Sequence, residues 1–177
     1  MTVVAVVLAG GKSHRMGQDK ATMYGGVERL KECLAQAGIQ QHVTLCGHEH
    51  RKPLFTGEVV ADPPHANGLH RIIPWIREEV NASVLLVPCD AFLLTSEAVV
   101  AFLNAAPNGG VPSDDLGRRQ PLFAYLPRAF KVNEAATSVM TLLQELPTVN
   151  VQGHGAAFSN FNRPSDLQRP ELLDRQP

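Results

Sequence analysis

The chain has 177 residues, 44% hydrophobic and 19% charged, a balance that builds one ordinary domain with a sizeable core and excludes disorder, coiled coil and collagen. With 16 Lys+Arg against 17 Asp+Glu the formal charge is -1, so no broad field draws nucleic acid or an anionic membrane, and a small molecule is the expected partner. The three cysteines, Cys33, Cys46 and Cys89, are scattered without a CxxC pair, which suits reduced thiols in the cytoplasm better than a disulfide framework.

Residues 2–9 are a β-branched run, too short to span a membrane and ended by Gly10-Gly11, the pattern of a strand buried on both faces. Residues 10–26 are rich in glycine and basic side chains and read as a long functional loop. From Val27 a helix follows, with Leu30, Cys33, Leu34 and Ala37 at helical spacing and Gly38 as its stop. Residues 42–46 and 58–61 are short strands, and Leu69, Ile72, Ile73, Ile76 and Val80 mark a helix that Pro74 is expected to kink or delay. Residues 83–87 form a second fully apolar strand leading into Pro88-Cys89-Asp90, then a helix capped by Thr95. Residues 120–126 are read as a strand, 138–146 as a helix, and the neighbourhood of Val149 as another strand. The charged, proline-bearing residues 169–177 are read as a loose tail. Strands alternating with helices imply right-handed βαβ units, a mostly parallel three-layer α/β/α sheet, and a ligand site beyond the strands' C-terminal ends.

The strongest chemical signal is Leu8-Ala9-Gly10-Gly11-Lys12-Ser13-His14-Arg15-Met16-Gly17-Gln18-Asp19-Lys20, directly after the first strand. Glycines let backbone N–H groups approach a phosphate, and Lys12, Arg15 and Lys20 bring cations to the same anion, so the loop points to triphosphate binding. It fits neither GxxxxGK[ST] nor GxGxxG, which disfavours a Walker ATPase and a Rossmann dehydrogenase. His48-Glu49-His50 lacks the further placed ligands of a zinc site.

The loop resembles the signature LAGGxSxRMGxDKA of the molybdenum cofactor guanylyltransferases (MobA-like), which residues 8–21 match closely. The resemblance implies a Rossmann-like nucleotidyltransferase fold over residues 1–168 and transfer of GMP from GTP to the phosphate of molybdopterin with release of pyrophosphate. Carried onto this chain, Leu8, Ala9, Gly10 and Gly11 meet the nucleotide, and Lys20 and Arg15 hold its phosphates. Val87-Pro88-Cys89-Asp90 looks like the family's PCD element, which makes Asp90 the expected Mg2+ ligand and, with Arg15 and Lys20, part of the catalytic set. Chemistry supports that role, because a hard cation on a carboxylate neutralises charge beside a triphosphate.

Val60-Ala61-Asp62-Pro63 is similar to the family segment whose acid contacts the nucleotide, though Asp62 also suits an ordinary turn. The family's following GPLAGI is altered to Asn67-Gly68-Leu69-His70-Arg71-Ile72, and Phe92 replaces a proline. Gln120 and the pair Asn160 and Asn162 resemble the acceptor side, where amides suit a pterin edge. Other molybdenum cofactor proteins are the partners the resemblance suggests. A relative using another base or acceptor, of cytidylyl or sugar-phosphate type, and a degenerate domain without turnover remain the alternatives.

Overall fold

A computed structural model describes residues 2–11, 19–161 and 164–173. Its five-stranded sheet has the order β3-β2-β1-β4-β6. Strands β1 (Val3–Leu8), β2 (Gln41–Leu45), β3 (Glu58–Val60) and β4 (Ser83–Pro88) are mutually parallel, and β6 (Tyr125–Leu126) runs antiparallel to β4. A small parallel pair, β5 (Val111–Pro112) with β7 (Thr148–Val149), adjoins it through a bridge between Gly110 and Tyr125.

The period of two in β1 and β4 builds the two cores. Ala5, Val7, Leu85 and Val87 face one layer, with Leu30 and Leu34 of α1 (Gly26–Gln36) and Val99 and Phe102 of α3 (Ser96–Ala105). Val4, Val6, Val84 and Leu86 face the other, with Ile72, Ile73 and Ile76 of α2 (Leu69–Glu79) and Leu142 of α4 (Val139–Leu142). This is the doubly wound, mostly parallel α/β/α arrangement. The direction of winding reverses between β1 and β4, which opens a crevice at their C-terminal ends.

Local signals explain the helix limits. Gly38, at φ +89°, takes the left-handed conformation that stops α1, and the next residue's N–H returns to Leu34 O at 3.0 Å. The Thr95 side chain accepts from Ala98 N and starts α3. Pro74 does not delay α2, which begins at Leu69 and continues through it, with Ile72, Ile73 and Ile76 buried on the sheet.

Two expected elements are shorter than their apolar patterns suggest. Within 120–126, Pro121 opens a 3-10 turn over Pro121–Phe123 because it cannot donate to a ladder, so only Tyr125–Leu126 pairs as strand. Within 138–146 the helix covers Val139–Leu142, capped by Ser138, and Leu143 and Leu146 reach the core from the turn that follows. The segment read as a tail contains a helical turn, α5 (Pro170–Leu173), whose Leu172 is fully buried in a cluster with Phe92, Leu93 and Phe161. No helix among the described residues is long and apolar enough to cross a membrane.

Candidate active site

A cavity of about 550 Å³ occupies the crevice beyond β1 and β4. Of the residues expected to bind nucleotide, Leu8, Gly10, Gly11, Lys20, Asp62 and Asp90 all line it. All but Lys20, which lies on a 3-10 turn over Lys20–Gly25, come from the ends of β1, β3 and β4, so strand order gathers residues far apart in sequence.

Lys20 and Asp90 meet across the cavity wall. Lys20 Nζ donates to Asp90 Oδ2 at 2.8 Å, with the two side chains 13% and 11% exposed. Asp19 caps the turn that carries Lys20, its Oδ1 accepting from Ala21 N at 3.1 Å. Asp90 sits on the tight turn after β4, where Phe92 N returns to Asp90 O at 2.8 Å. The two turns are packed together by Tyr24, whose ring lies 5.0 Å from that of Phe92. Phe92, where the family has proline, therefore fills space as an aromatic bridge. Arg29 of α1 adds to this support, donating to the carbonyls of Ala91 at 2.6 Å and Leu94 at 3.0 Å.

Close backbone approach explains Gly10. A Cβ there would lie 2.8 Å from Gly47 Cα and 2.9 Å from Asp62 Oδ2. Gly47, at φ +82°, is itself left-handed, and its carbonyl accepts from Asp62 N at 2.8 Å. Burial pushes the Asp62 carboxyl above its ordinary value, opposed by a hydrogen bond from the Gly47 backbone and by the charges of His48 and Arg51. Gly47 thus lets the ends of β1, β2 and β3 touch.

Some expected residues have other duties. Ala9 does not line the cavity: its N–H goes to Leu45 O at 2.8 Å and its carbonyl accepts from Arg51 at 2.8 Å. Gln120 is buried, and its amide donates to Asp114 Oδ2 at 2.9 Å, inside a turn that also engages Arg118 and Leu116. Leu122, two residues on, lines the cavity instead. Asn160 stands beside Phe161, whose ring lies 5.3 Å from Phe92, and its buried Oδ1 has no hydrogen-bond partner among the described residues. Arg15 and Asn162 lie outside the described residues.

His70 and Arg71, the bulky replacements in the altered segment, do not line the cavity, whereas Gly68, Leu69 and Ile72 do. Arg71 is exposed and donates to Glu134 O at 3.4 Å. Cys89 borders the cavity, and burial, reinforced by the Asp90 charge, pushes its thiol up to about 12, which disfavours the thiolate a nucleophile needs. Sequence reasoning also passed over Arg51, whose guanidinium donates to Ala9 O and Asp19 Oδ2, since nothing in the charged stretch 48–52 sets it apart from its neighbours.

The MobA-like NTP transferase domain family matches residues 5–149. The chain belongs to that family. It is 31% identical over 144 residues to the molybdenum cofactor guanylyltransferase of Xanthomonas euvesicatoria pv. vesicatoria (strain 85-10), covering 78% of this chain and 69% of that one. It is 29% identical over 215 residues to the molybdenum cofactor guanylyltransferase of Rhizobium meliloti (strain 1021), covering 98% and 94%. Among solved structures, molybdopterin-guanine dinucleotide biosynthesis protein A from Archaeoglobus fulgidus matches with a TM-score of 0.68 at 18% identity, covering 97% and 98%, a likeness of fold. The MobA-like family is one of nucleotidyltransferases, and the cavity lies where such a fold binds its ligand.

Proposed function

We propose that this MobA-like protein is a cytoplasmic guanylyltransferase that joins GMP from GTP to the phosphate of molybdopterin and releases pyrophosphate. The observation that carries the proposal is the Lys20–Asp90 pair on the wall of a cavity at the β1/β4 switch point. Gly10 and Gly11 leave backbone within reach of a triphosphate, and Lys20 supplies a cation beside it.

Mg2+ takes one or two carboxylates and completes its shell with water and substrate phosphates; no group of three or more metal-binding side chains gathers among the described residues, and Asp90 offers one such carboxylate on the cavity wall. Asp90 would hold the ion: Oδ2 faces Lys20, and Oδ1 carries no hydrogen bond among the described residues. Bound there, magnesium would supply charge neutralisation at the triphosphate oxygens.

The attacking group is a phosphate monoester, already ionised near neutral pH, so this chain's residues have no proton to remove. Their work is positioning and charge stabilisation: Lys20 and Arg15 hold the transferred and leaving phosphates, and the apolar wall of Leu45, Leu69, Ile72 and Leu122 excludes water around the base. Asp62 offers acceptor oxygens to the N–H donors of guanine. Asn160, whose Oδ1 has no hydrogen-bond partner among the described residues, and Asn162 are assigned to the pterin side. Gln120, expected on the acceptor side, acts indirectly, fixing the turn that presents Leu122 to the apolar wall. Other molybdenum cofactor proteins are the expected partners for delivery and release.

Calorimetric titration of GTP, ATP, CTP and UTP, each with and without magnesium, tests this reading. Magnesium-dependent binding selective for GTP is expected. Equal affinity for CTP and GTP would overturn the guanylyl assignment, and no binding of any triphosphate would overturn the enzyme.

A further inference from the structure

We propose that Arg51 is a positioning residue that holds Lys20 in place for the transfer step. The inference rests on the nucleotidyl-transfer reading for its kinetic consequences and on geometry alone for its structural ones. Arg51 lies on a 3-10 turn over Glu49–Leu54 that follows β2, distant in sequence from the loop it serves. Its Nη1 donates to Ala9 O at 2.8 Å, and its Nη2 donates to Asp19 Oδ2 at 2.6 Å. Ala9 and Asp19 bracket the glycine-rich segment: one is where the chain leaves β1, the other immediately precedes Lys20. A single planar guanidinium thus ties together the two ends of residues 10–18.

The connection continues to the chemistry without a gap. Asp19 accepts from Arg51 on one oxygen and from Ala21 N on the other, so the carboxylate is held on both sides while it caps the turn carrying Lys20. Lys20 then reaches Asp90 at 2.8 Å. The path runs from the end of β1 through Arg51 and Asp19 to Lys20 and the end of β4. Arg51 is itself fixed, with its side chain 11% exposed, its N–H bonded to His48 O at 2.9 Å and its guanidinium over the Phe55 ring at 5.9 Å.

Two features separate positioning from phosphate binding. Both Nη groups are already committed to protein acceptors, and Arg51 does not line the cavity. Lysine cannot replace it, because one ammonium on a flexible stem does not reproduce a two-pronged fork. The same reasoning makes Asp19 the obligate partner, so the two residues act as one unit.

The test combines steady-state kinetics of pyrophosphate release from GTP and acceptor with hydrogen exchange on the full chain, for R51M, R51K, D19N and R51M/D19N. R51M and D19N should each lower kcat by about 10- to 100-fold, as displacement of a catalytic group does, with KM for GTP changed less than about threefold. The double variant should resemble either single one, and R51K should recover only part of the loss. Exchange at Ala21 and Thr22 should accelerate in R51M while β4 and α2 keep their protection. A raised KM with unchanged kcat, or multiplying losses in the double variant, would overturn the proposal in favour of an independent phosphate ligand. Unchanged exchange at Ala21 would overturn it whether or not the wild type turns over GTP. Inactivity of the wild type itself, with the exchange result as expected, would count against the proposed reaction and leave the Arg51 clamp standing.

Discussion

Lys20 Nζ and Asp90 Oδ2 lie 2.8 Å apart although 70 residues separate them in sequence, and both side chains are almost out of solvent. Removing either member leaves the other charged and poorly hydrated. D90N and K20M should each reduce turnover by about 10²- to 10³-fold, the range for losing one preorganised charge, and each should destabilise the domain by about 1–3 kcal/mol, below the fully buried case because solvent still reaches the pair. The double variant K20M/D90N should regain stability but not turnover. Thermal unfolding beside a pyrophosphate assay separates the two effects.

The neighbouring glycines should respond oppositely to alanine. At Gly10 a methyl group would press on Gly47 Cα and Asp62 Oδ2, at 2.8 and 2.9 Å, so G10A should lose about 1–3 kcal/mol, as overpacked sites do, together with nucleotide affinity. At Gly11 the same methyl group meets nothing within 4 Å among the described residues, so G11A should stay within about 0.5 kcal/mol of wild type. Denaturant unfolding of both variants checks the contrast.

The Asp62 carboxyl titrates above its ordinary value of 3.8 because burial disfavours its charge, despite the Gly47 hydrogen bond and the nearby His48 and Arg51. The fold then holds the proton more tightly than the unfolded chain, so this group's contribution to stability falls as pH rises from the ordinary value through the raised one. D62N should therefore melt higher than wild type at pH 7, with the gain vanishing below the ordinary carboxylate range. The same variant should bind GTP more weakly. Melting curves at a series of pH values report the sign, and an advantage that grew toward acid would contradict it.

Cys89, with its thiol pushed up to about 12 by burial and by the Asp90 charge, should resist iodoacetamide at pH 8 in the folded protein, and C89A should retain turnover. Mass spectrometry of the alkylated native protein detects any reaction there.

Much of the architecture was legible because it rests on local periodicity. The apolar runs at 3–8 and 83–88 alternate onto two cores, and Gly38 and Thr95 mark helix ends through a left-handed backbone and a side-chain cap. That Gly10, Lys20, Asp62 and Asp90 would gather at one crevice was legible because a motif or a strand end announces each one, and all four line the cavity. Arg51 was not, since its partners Ala9 and Asp19 become neighbours only when β2 pairs with β1. Gln120 and Leu122 show a related difficulty: Pro121 converts an apparent strand into a turn, which gives the amide to Asp114 and the apolar side chain to the cavity. Phe92 reads as a mere departure from a family pattern until Tyr24 and Phe161 are seen to flank it.

The most direct measurement of the central claim is the rate of pyrophosphate release from GTP and from CTP, each with molybdopterin and magnesium, compared with the D90N variant. Release should require the acceptor, strongly favour GTP and fall by about 10²- to 10³-fold in D90N. Release that is equal for CTP, or that persists at the wild-type rate in D90N, would contradict a guanylyl transfer organised around Lys20 and Asp90.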